Sequence, residues 1–360
     1  MVVAHDSLFQ FTKSILEAAG CPEKDARLGA QVLLSADLRG VDSHGVARLV
    51  GYVRLIDKNR VNTRPDVKIV HETPSTGVID GDAGLGLVVG PEAMNLAIDK
   101  AKQVGSGWVA VRNSNHYGIA GYHAMLALKD DCIGIAMTNA SPLVAPTFSK
   151  ERLLGTNPIA VAIPADKEPP FVLDMATTTA ANGKLEILQR KNKQAPTGWI
   201  QDTSGQSTTD PNGVKDGGAL LPLGGDREHG SHKGYGLSSV VDILSAVLSG
   251  ANYGPWVPPF VAFMEPAADP VGKGIGHFFG AMRIDGFRPS GEFKSHMDNW
   301  IGRFRNAEPI MKGHDVLIPG DPERKLEHER RKDGIPLLDA VVNDLKGLSD
   351  RFGVEFPGEI

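Results

Sequence analysis

The sequence predicts an α/β chain, of the α+β kind, whose first layer is helical. Three observations carry that expectation. Apolar residues recur at helical spacing in three successive runs between residues 6 and 58, each bounded by a cap or a glycine. From residue 61 onward the pattern changes to short apolar runs separated by glycine, as strands alternating with helices would give. The length, 360 residues with 41% hydrophobic side chains, leaves room for about two domains and a large core.

In chain order, residues 6–19 form the first expected helix, with Asp6 or Ser7 as cap, Leu8, Phe11, Ile15 and Leu16 inward, and Gly20 as the stop. Pro22 opens a second helix that runs through Ala26, Leu33 and Leu38 to Gly40. A third spans residues 44–58, with Ser43 as N-cap and Val46, Leu49, Val50, Val53 and Ile56 on one face. Residues 67–70, 77–80 and 108–111 read as strands, and 91–104 as a helix with Pro91 in its first turn. An apolar helix at about 121–129 follows, then strands at 133–137, 159–163 and 171–175. Thr177, Thr178 and Thr179 offer a cap for a helix carrying Lys184 and Glu186. Residues 198–234 are glycine-rich with little periodicity, and an apolar helix is expected from about 235 to Gly250. A strand at 278–284, a helix at 290–305, a solvated charge run at 323–332 and an amphipathic helix at 337–352 complete the chain. No repeat of fixed period is visible.

Composition excludes several classes of function. A formal net charge of -5 and a pI near 6.1 leave no basic footprint for nucleic acid. No run approaches the roughly 18 apolar residues that a membrane helix needs, and residues 1–6 lack the basic and apolar regions of a signal peptide, so the expected location is cytoplasmic. Cys21 and Cys132, far apart and without a Cys-x-x-Cys pair, fit a reducing compartment and exclude a cysteine zinc site.

The chemistry centres on Asp42-Ser43-His44-Gly45-Val46-Ala47-Arg48. At about 100° per residue, Arg48 lies roughly 40° from His44, on the side that the apolar face leaves free. A guanidinium can take a carboxylate bidentately, and an imidazole can exchange a proton with an oxygen on the neighbouring carbon. The dipole of a first helical turn disfavours imidazolium whereas Asp42 favours it, so either protonation state is open at this point.

Other motifs are weaker. Gly84-Leu85-Gly86-Leu87-Val88-Val89-Gly90 lies between a strand and a helix and imitates a dinucleotide fingerprint. Its spacing is a variant, and the next strand ends in Arg112-Asn113 where an acid would be wanted, so a tight turn is the favoured reading. The polar, glycine-broken stretch 113–121 stands where ligand loops are common. His116 and His123 lack an acidic partner at ligand spacing, and no metal is expected. Gly230-Ser231-His232-Lys233-Gly234 at a helix start is either an anion cradle or an ordinary glycine loop.

Taken together, 36–45, 113–118, 154–160, 173–177 and 230–237 resemble the type 2 malate/L-lactate dehydrogenase family over nearly the whole chain. The resemblance implies an NAD(P)-dependent oxidoreductase with a non-Rossmann, largely antiparallel cofactor sheet, acting as a homodimer. It implies residues 1–120 with 280–360 as the substrate, catalytic and dimerisation domain, and 121–279 as the NAD(P)-binding domain. By the same resemblance His44 is the acid/base, Ser43 its partner, Arg48 the carboxylate grip and Thr156 a substrate contact. The implied cofactor contacts are His116, Tyr117, Gly118, Ile119, Ala120, Asp174, Met175, Ala176, His232 and Lys233, with Arg303 and Arg305 further along.

Imine-reducing members carry an aspartate where Lys184 stands, and Lys184 resembles the malate-type branch, where a cation would suit a second carboxylate. The expected substrate is therefore malate or L-lactate. Diketogulonate, ureidoglycolate, sulfolactate and piperideine-2-carboxylate types are the alternatives. NAD is favoured over NADP. A metal-dependent hydrolase lacks its paired histidines here, and a non-catalytic scaffold has no need of Ser43, His44 and Arg48 together.

Overall fold

The computed structural model describes residues 1–311 and 313–360, with Arg190 described in its backbone only. A short strand β1 (Val2–Val3) leads into α1 (His5–Ala18) and α2 (Glu23–Leu38). Two 3-10 turns, Asp42–His44 and Val46–Arg48, precede α3 (Leu49–Asp57). Then come β2 (Lys68–Glu72), β3 (Thr76–Gly84), α4 (Gly86–Val104), β4 (Ser106–Ser114), α5 (Ala120–Met125), β5 (Cys132–Thr138), β6 (Ile159–Ile163) and β7 (Phe171–Met175). They are followed by α6 (Asn182–Arg190), the small strands β8 (Ile200–Gln201), β9 (Ser207–Thr208) and β10 (Ala219–Leu220), and α7 (Ser231–Asp242). The chain closes with β11 (Ile275–Arg283), α8 (Ser290–Arg305), α9 (Asp321–Asp333), β12 (Ile335–Pro336) and α10 (Asp339–Phe352).

The main sheet has the order β2-β3-β4-β11-β5-β6-β7. Every pairing in it is antiparallel except β3 with β4. A parallel pair needs a crossover, and α4 supplies it. Both expected sections of the chain contribute strands to this one sheet, and residue 280 lies within β11. Separate apolar cores nevertheless exist. One joins α1, α2 and α3 to Ile335, Val341 and Leu345, a second lies under the main sheet, and a third gathers Leu143, Leu185, Ile200 and Leu220. Among the described residues no helix is long and apolar enough to cross a membrane.

Several boundaries differ from expectation for identifiable reasons. Helix α4 starts at Gly86, so Pro91 lies inside it and not in the first turn. Burial of Leu87, Val88 and Val89 outweighs the hydrogen bond that the proline costs. The favoured tight turn at 84–90 is thus a helix start, and its glycines serve packing. A Cβ on Gly86 would sit 2.1 Å from the Asn115 carbonyl oxygen, and one on Gly90 would sit 2.6 Å from the His123 ring. The threonines do not cap α6, whose cap position is Ala181. Thr177 bonds instead to the Thr156 and Asn157 carbonyls and Thr179 to that of Pro222, tying neighbouring chain segments together. Helix α7 begins at Ser231, four residues before the expected start.

Candidate active site

The largest departure falls on the chemical centre itself. Residues 44–48 are not the first turn of α3, because the chain breaks at Gly45 between two 3-10 turns. Buried Asp37, near the end of α2, causes the break by accepting the Val46 N–H at 2.8 Å. A Cβ on Gly45 would stand 2.0 Å from that carboxylate, so only glycine fits. Arg330 of α9 clamps the other side, donating to the Asp37 carbonyl and to Asp42. Asp42 is therefore paired with an arginine and not with His44, and neither of the two expected influences on the imidazole operates. Burial lowers the His44 pKa to about 4, helped by Arg48. At neutral pH the ring is neutral and able to accept a proton. Its Nδ1 lies 2.9 Å from Ser43 Oγ, which leaves Nε2 for a substrate.

His116 stacks on His44 with ring centroids 5.8 Å apart, and on Phe260 at 4.5 Å. The fully buried Tyr52 of α3 stands 2.6 Å from His116 Nδ1 through its hydroxyl. Burial keeps that phenol protonated and holds the His116 pKa well below the usual histidine range. Tyr52 is then the donor to Nδ1, and the His116 proton resides on Nε2. Arg48 donates through Nε to the Ser43 carbonyl at 2.5 Å, and its Nη2 lies 3.4 Å from Glu186.

Two cavities of unequal size meet at these residues. The larger, about 580 Å³, is bounded by Ser43 and His44, by 118–121, and by Asp174, Met175 and Ala176. The smaller, about 90 Å³, is bounded by His44, Arg48, His116, Asn139, Asn182 and Phe260. His44, Gly118, Thr156, Pro158 and Ala181 belong to both. The larger is within the range of cofactor sites and the smaller admits only a small molecule, with His44 on the wall of both.

A family model described as malate/L-lactate dehydrogenase matches residues 3–346. The chain belongs to that family. A malate dehydrogenase of Pyrococcus abyssi is 45% identical over 354 residues, covering 98% of this chain and 95% of the relative. An L-sulfolactate dehydrogenase of Methanocaldococcus jannaschii is 42% identical over 341 residues, 94% of each chain. The solved malate dehydrogenase of Pyrococcus horikoshii superposes with a TM-score of 0.89 at 44% identity, over 99% of this chain and 97% of that one. As a member of the malate/L-lactate dehydrogenase family the protein is an oxidoreductase of small acids that uses a nicotinamide cofactor. The mixed α/β architecture with its largely antiparallel, non-Rossmann sheet is the family's own.

Within this dehydrogenase the residues expected at the site fall into three groups. Ser43, His44, Gly118, Ile119, Ala120, Thr156, Asp174, Met175, Ala176 and Lys184 line the larger cavity. The Asp174 carboxylate accepts the Gly121 N–H at 2.8 Å, and burial raises its pKa to about 6. A Cβ on Gly121 would lie 2.7 Å from it, which explains glycine at that turn. The Lys184 ammonium lies 5.8 Å from the Trp199 ring centroid. His44, Arg48, His116, Tyr117, Gly118 and Thr156 line the smaller cavity. His232, Lys233, Arg303 and Arg305 line neither. His232 and Lys233 are exposed on the first turn of α7, Arg303 is exposed, and Arg305 pairs with Glu168 and Asp321.

Sequence reasoning missed Asp37, Tyr52, Phe260 and Arg330. A signal for Tyr52 existed, since 44, 48 and 52 repeat at four-residue spacing on the face assigned to the chemistry. No local pattern could announce Phe260 or Arg330, which arrive from far along the chain. Among the described residues no group of three or more histidine, cysteine, aspartate or glutamate side chains is placed to hold a metal ion.

Proposed function

We propose that this protein catalyses the reversible oxidation of malate to oxaloacetate with NAD. The observation that carries the reading is the meeting of a cofactor-sized and an acid-sized cavity at His44, with Arg48 on the acid side. A bound nicotinamide supplies the hydride acceptor in oxidation and the hydride donor in reduction. Residues 118–120 and 174–176 would hold its reactive end. His232, Lys233, Arg303 and Arg305 would reach the cofactor only through its far, adenosine end.

The chain's own work is orientation and one proton transfer. Arg48 holds the C1 carboxylate, with Nε fixed on the Ser43 carbonyl, and its Nη2 exchanges the long contact with Glu186 for the acid. As the C2 hydrogen departs with its bonding electrons, the hydroxyl proton passes to His44 Nε2, and C2 becomes a carbonyl. In the reverse direction the imidazolium returns that proton to the carbonyl oxygen. Ser43 keeps the ring oriented through Nδ1. His116, with its proton on Nε2, offers a second donor in the compartment, suited to the second carboxylate of malate. Thr156 touches substrate from the shared wall. Lys184 stands on the larger cavity and would add positive charge to the second carboxylate from that side.

NAD is taken as the cofactor over NADP, and turnover with NADH against NADPH decides it. A homodimer is supported by exposed surface. The chain exposes 16198 Å², whereas a compact 38.4 kDa monomer exposes about 14,000 Å². Part of the excess is the apolar outer face of α7 beyond its first turn, and its continuation, with Leu237, Val240, Ile243, Val247 and Leu248 each 42–57% exposed. In the flanking section Phe287, Trp300 and Phe304 are also exposed. Free, buried Cys21 and Cys132 support a cytoplasmic location.

The test is consumption of NADH or NADPH with oxaloacetate, pyruvate, 3-sulfopyruvate and a cyclic imino acid, with His44→Ala alongside. Turnover of oxaloacetate with NADH, lost in the variant, is the expected result. Preference for the sulfonated acid would move the reading to sulfolactate, the substrate named for the Methanocaldococcus relative. Turnover of the imino acid alone would overturn the use made of Lys184.

A further inference from the structure

We propose that the acid enters and leaves through a second opening, on the far side of Arg48 from the cofactor, where Glu186 is a displaceable carboxylate that sets acid affinity. The inference rests on the reading that Arg48 takes the substrate carboxylate. A cleft of about 620 Å³ is lined by Arg48, Arg54, Glu186, Lys215, Phe260 and Val261, among others. Arg48, Phe260 and Val261 also line the small compartment, so they are the wall between the two. This cleft and the cofactor cavity share no residue. The small compartment thus has the cofactor on one side and the Arg48 wall on the other. A dinucleotide filling the larger cavity closes the first side and leaves the acid only the second.

Glu186 occupies that wall as a substrate carboxylate would. Its Oε2 lies 3.4 Å from Arg48 Nη2, and its Oε1 accepts from Asn182 Nδ2 at 2.9 Å. Asn182 itself lines the acid compartment. The Arg48–Glu186 contact is long and both side chains are partly exposed, which makes it weak and easily exchanged. An arriving carboxylate can therefore take the guanidinium from Glu186 without leaving it unpaired in the interval. At the same cleft Arg48, Arg54 and the exposed Lys215 stand against Glu186 and Asp344, which leaves it one positive charge in excess for an anionic visitor.

Three variants test the route. Glu186→Gln keeps an oxygen for Asn182 and removes the competing charge, so the KM for malate and oxaloacetate should fall about two- to fivefold, the worth of one exposed pair. The Kd for NADH should stay the same, a split that a merely structural role would not give. Lys215→Glu should lower kcat/KM for oxaloacetate at low ionic strength by about two- to tenfold and recover in salt, again without change in NADH binding. Ala262→Trp narrows the cleft at an exposed position that does not line the acid compartment. It should slow oxaloacetate binding to enzyme preloaded with NADH in stopped flow. If all three variants leave the acid parameters unchanged while Arg48→Ala raises the acid KM, the second opening is wrong and the carboxylate grip stands. An unchanged acid KM in Arg48→Ala overturns the underlying reading of the site instead.

Discussion

Two pairs of histidines in this protein share one physical environment and differ in what they can do. His44 and His116 stand at the small cavity. His123 and His277 flank the Tyr117 ring in the core, with centroids 4.4 and 4.8 Å from it. Burial lowers the pKa of all four, to about 4 for His44 and His123 and to about 3 for His277. The shift alone therefore does not mark a catalytic residue. What separates the pairs is whether a free ring nitrogen reaches a cavity. In His277 both nitrogens are engaged, with Thr138 at 2.7 Å and Ser114 at 2.8 Å, and the unpartnered Nδ1 of His123 is sealed in the core, whereas His44 Nε2 is left for a visitor. A perturbed residue is a functional candidate only when a free atom of it reaches a cavity.

The contrast can be broken most directly at His44. His44→Ala should lower kcat by about two to four orders of magnitude, the usual worth of general acid-base help, with the Kd for NADH unchanged. Full turnover from a variant that still binds NADH would assign the proton transfer elsewhere. The core pair should answer in stability. His277→Ala leaves a cavity in the interior and takes one partner from each of the Thr138 and Ser114 hydroxyls, so unfolding free energy should fall by about 2–4 kcal/mol in urea titration, with far less effect on kcat of the folded enzyme. A loss of kcat as large as that of His44→Ala, at unchanged stability, would erase the distinction.

Smaller effects sharpen it. Arg48→Ala should raise the acid KM by about ten- to a hundredfold, the value of a charge-assisted bidentate contact, and affect NADH binding little. The pH dependence of malate oxidation should show its acid limb near pH 4 and not near 6.5, because the base must be neutral and its folded pKa is about 4. Stability follows the same sign. For a histidine whose folded pKa lies below 6.5, the unfolded chain holds the extra proton between the two values, so the contribution is full above 6.5 and is lost as pH falls. Asp174, held near 6, acts in the opposite direction. The readout is accordingly a difference: His277→Phe should flatten the acid loss of stability by about one proton between pH 4 and 6.5 relative to the wild type. Parallel curves would refute it.

The fold and the site were legible in the sequence to different depths. Strands β5, β6 and β7 and helices α1, α2, α8 and α10 lie within a few residues of where periodicity puts them, because each buries one continuous face. His44 and Arg48 were legible as a pair from spacing alone, even though the helical turn that suggested them is broken. The break itself was not legible. It depends on Asp37, whose buried carboxylate meets Gly45 only after α2 and the loop have packed. The dinucleotide-like glycines illustrate the opposite error, since their spacing is local and their reason, the Asn115 carbonyl and the His123 ring, is remote. Tyr52, Phe260 and His116 form one aromatic cluster that three distant stretches of chain build together, so no window of sequence contains it.

Strand β11 has a consequence for how the molecule is made. It lies at the middle of the main sheet, between β4 and β5, yet it is the last of the seven strands to leave the ribosome. Until residue 283 is synthesised, β4 and β5 each present an open edge with unpaired backbone N–H and C=O groups. A nascent chain released before that point carries two such edges and an uncovered apolar face, and should be captured by chaperones or self-associate. Completion of the sheet is therefore a late event in which a single strand closes both halves at once, and chains truncated before 275 should accumulate as insoluble material where the full chain does not.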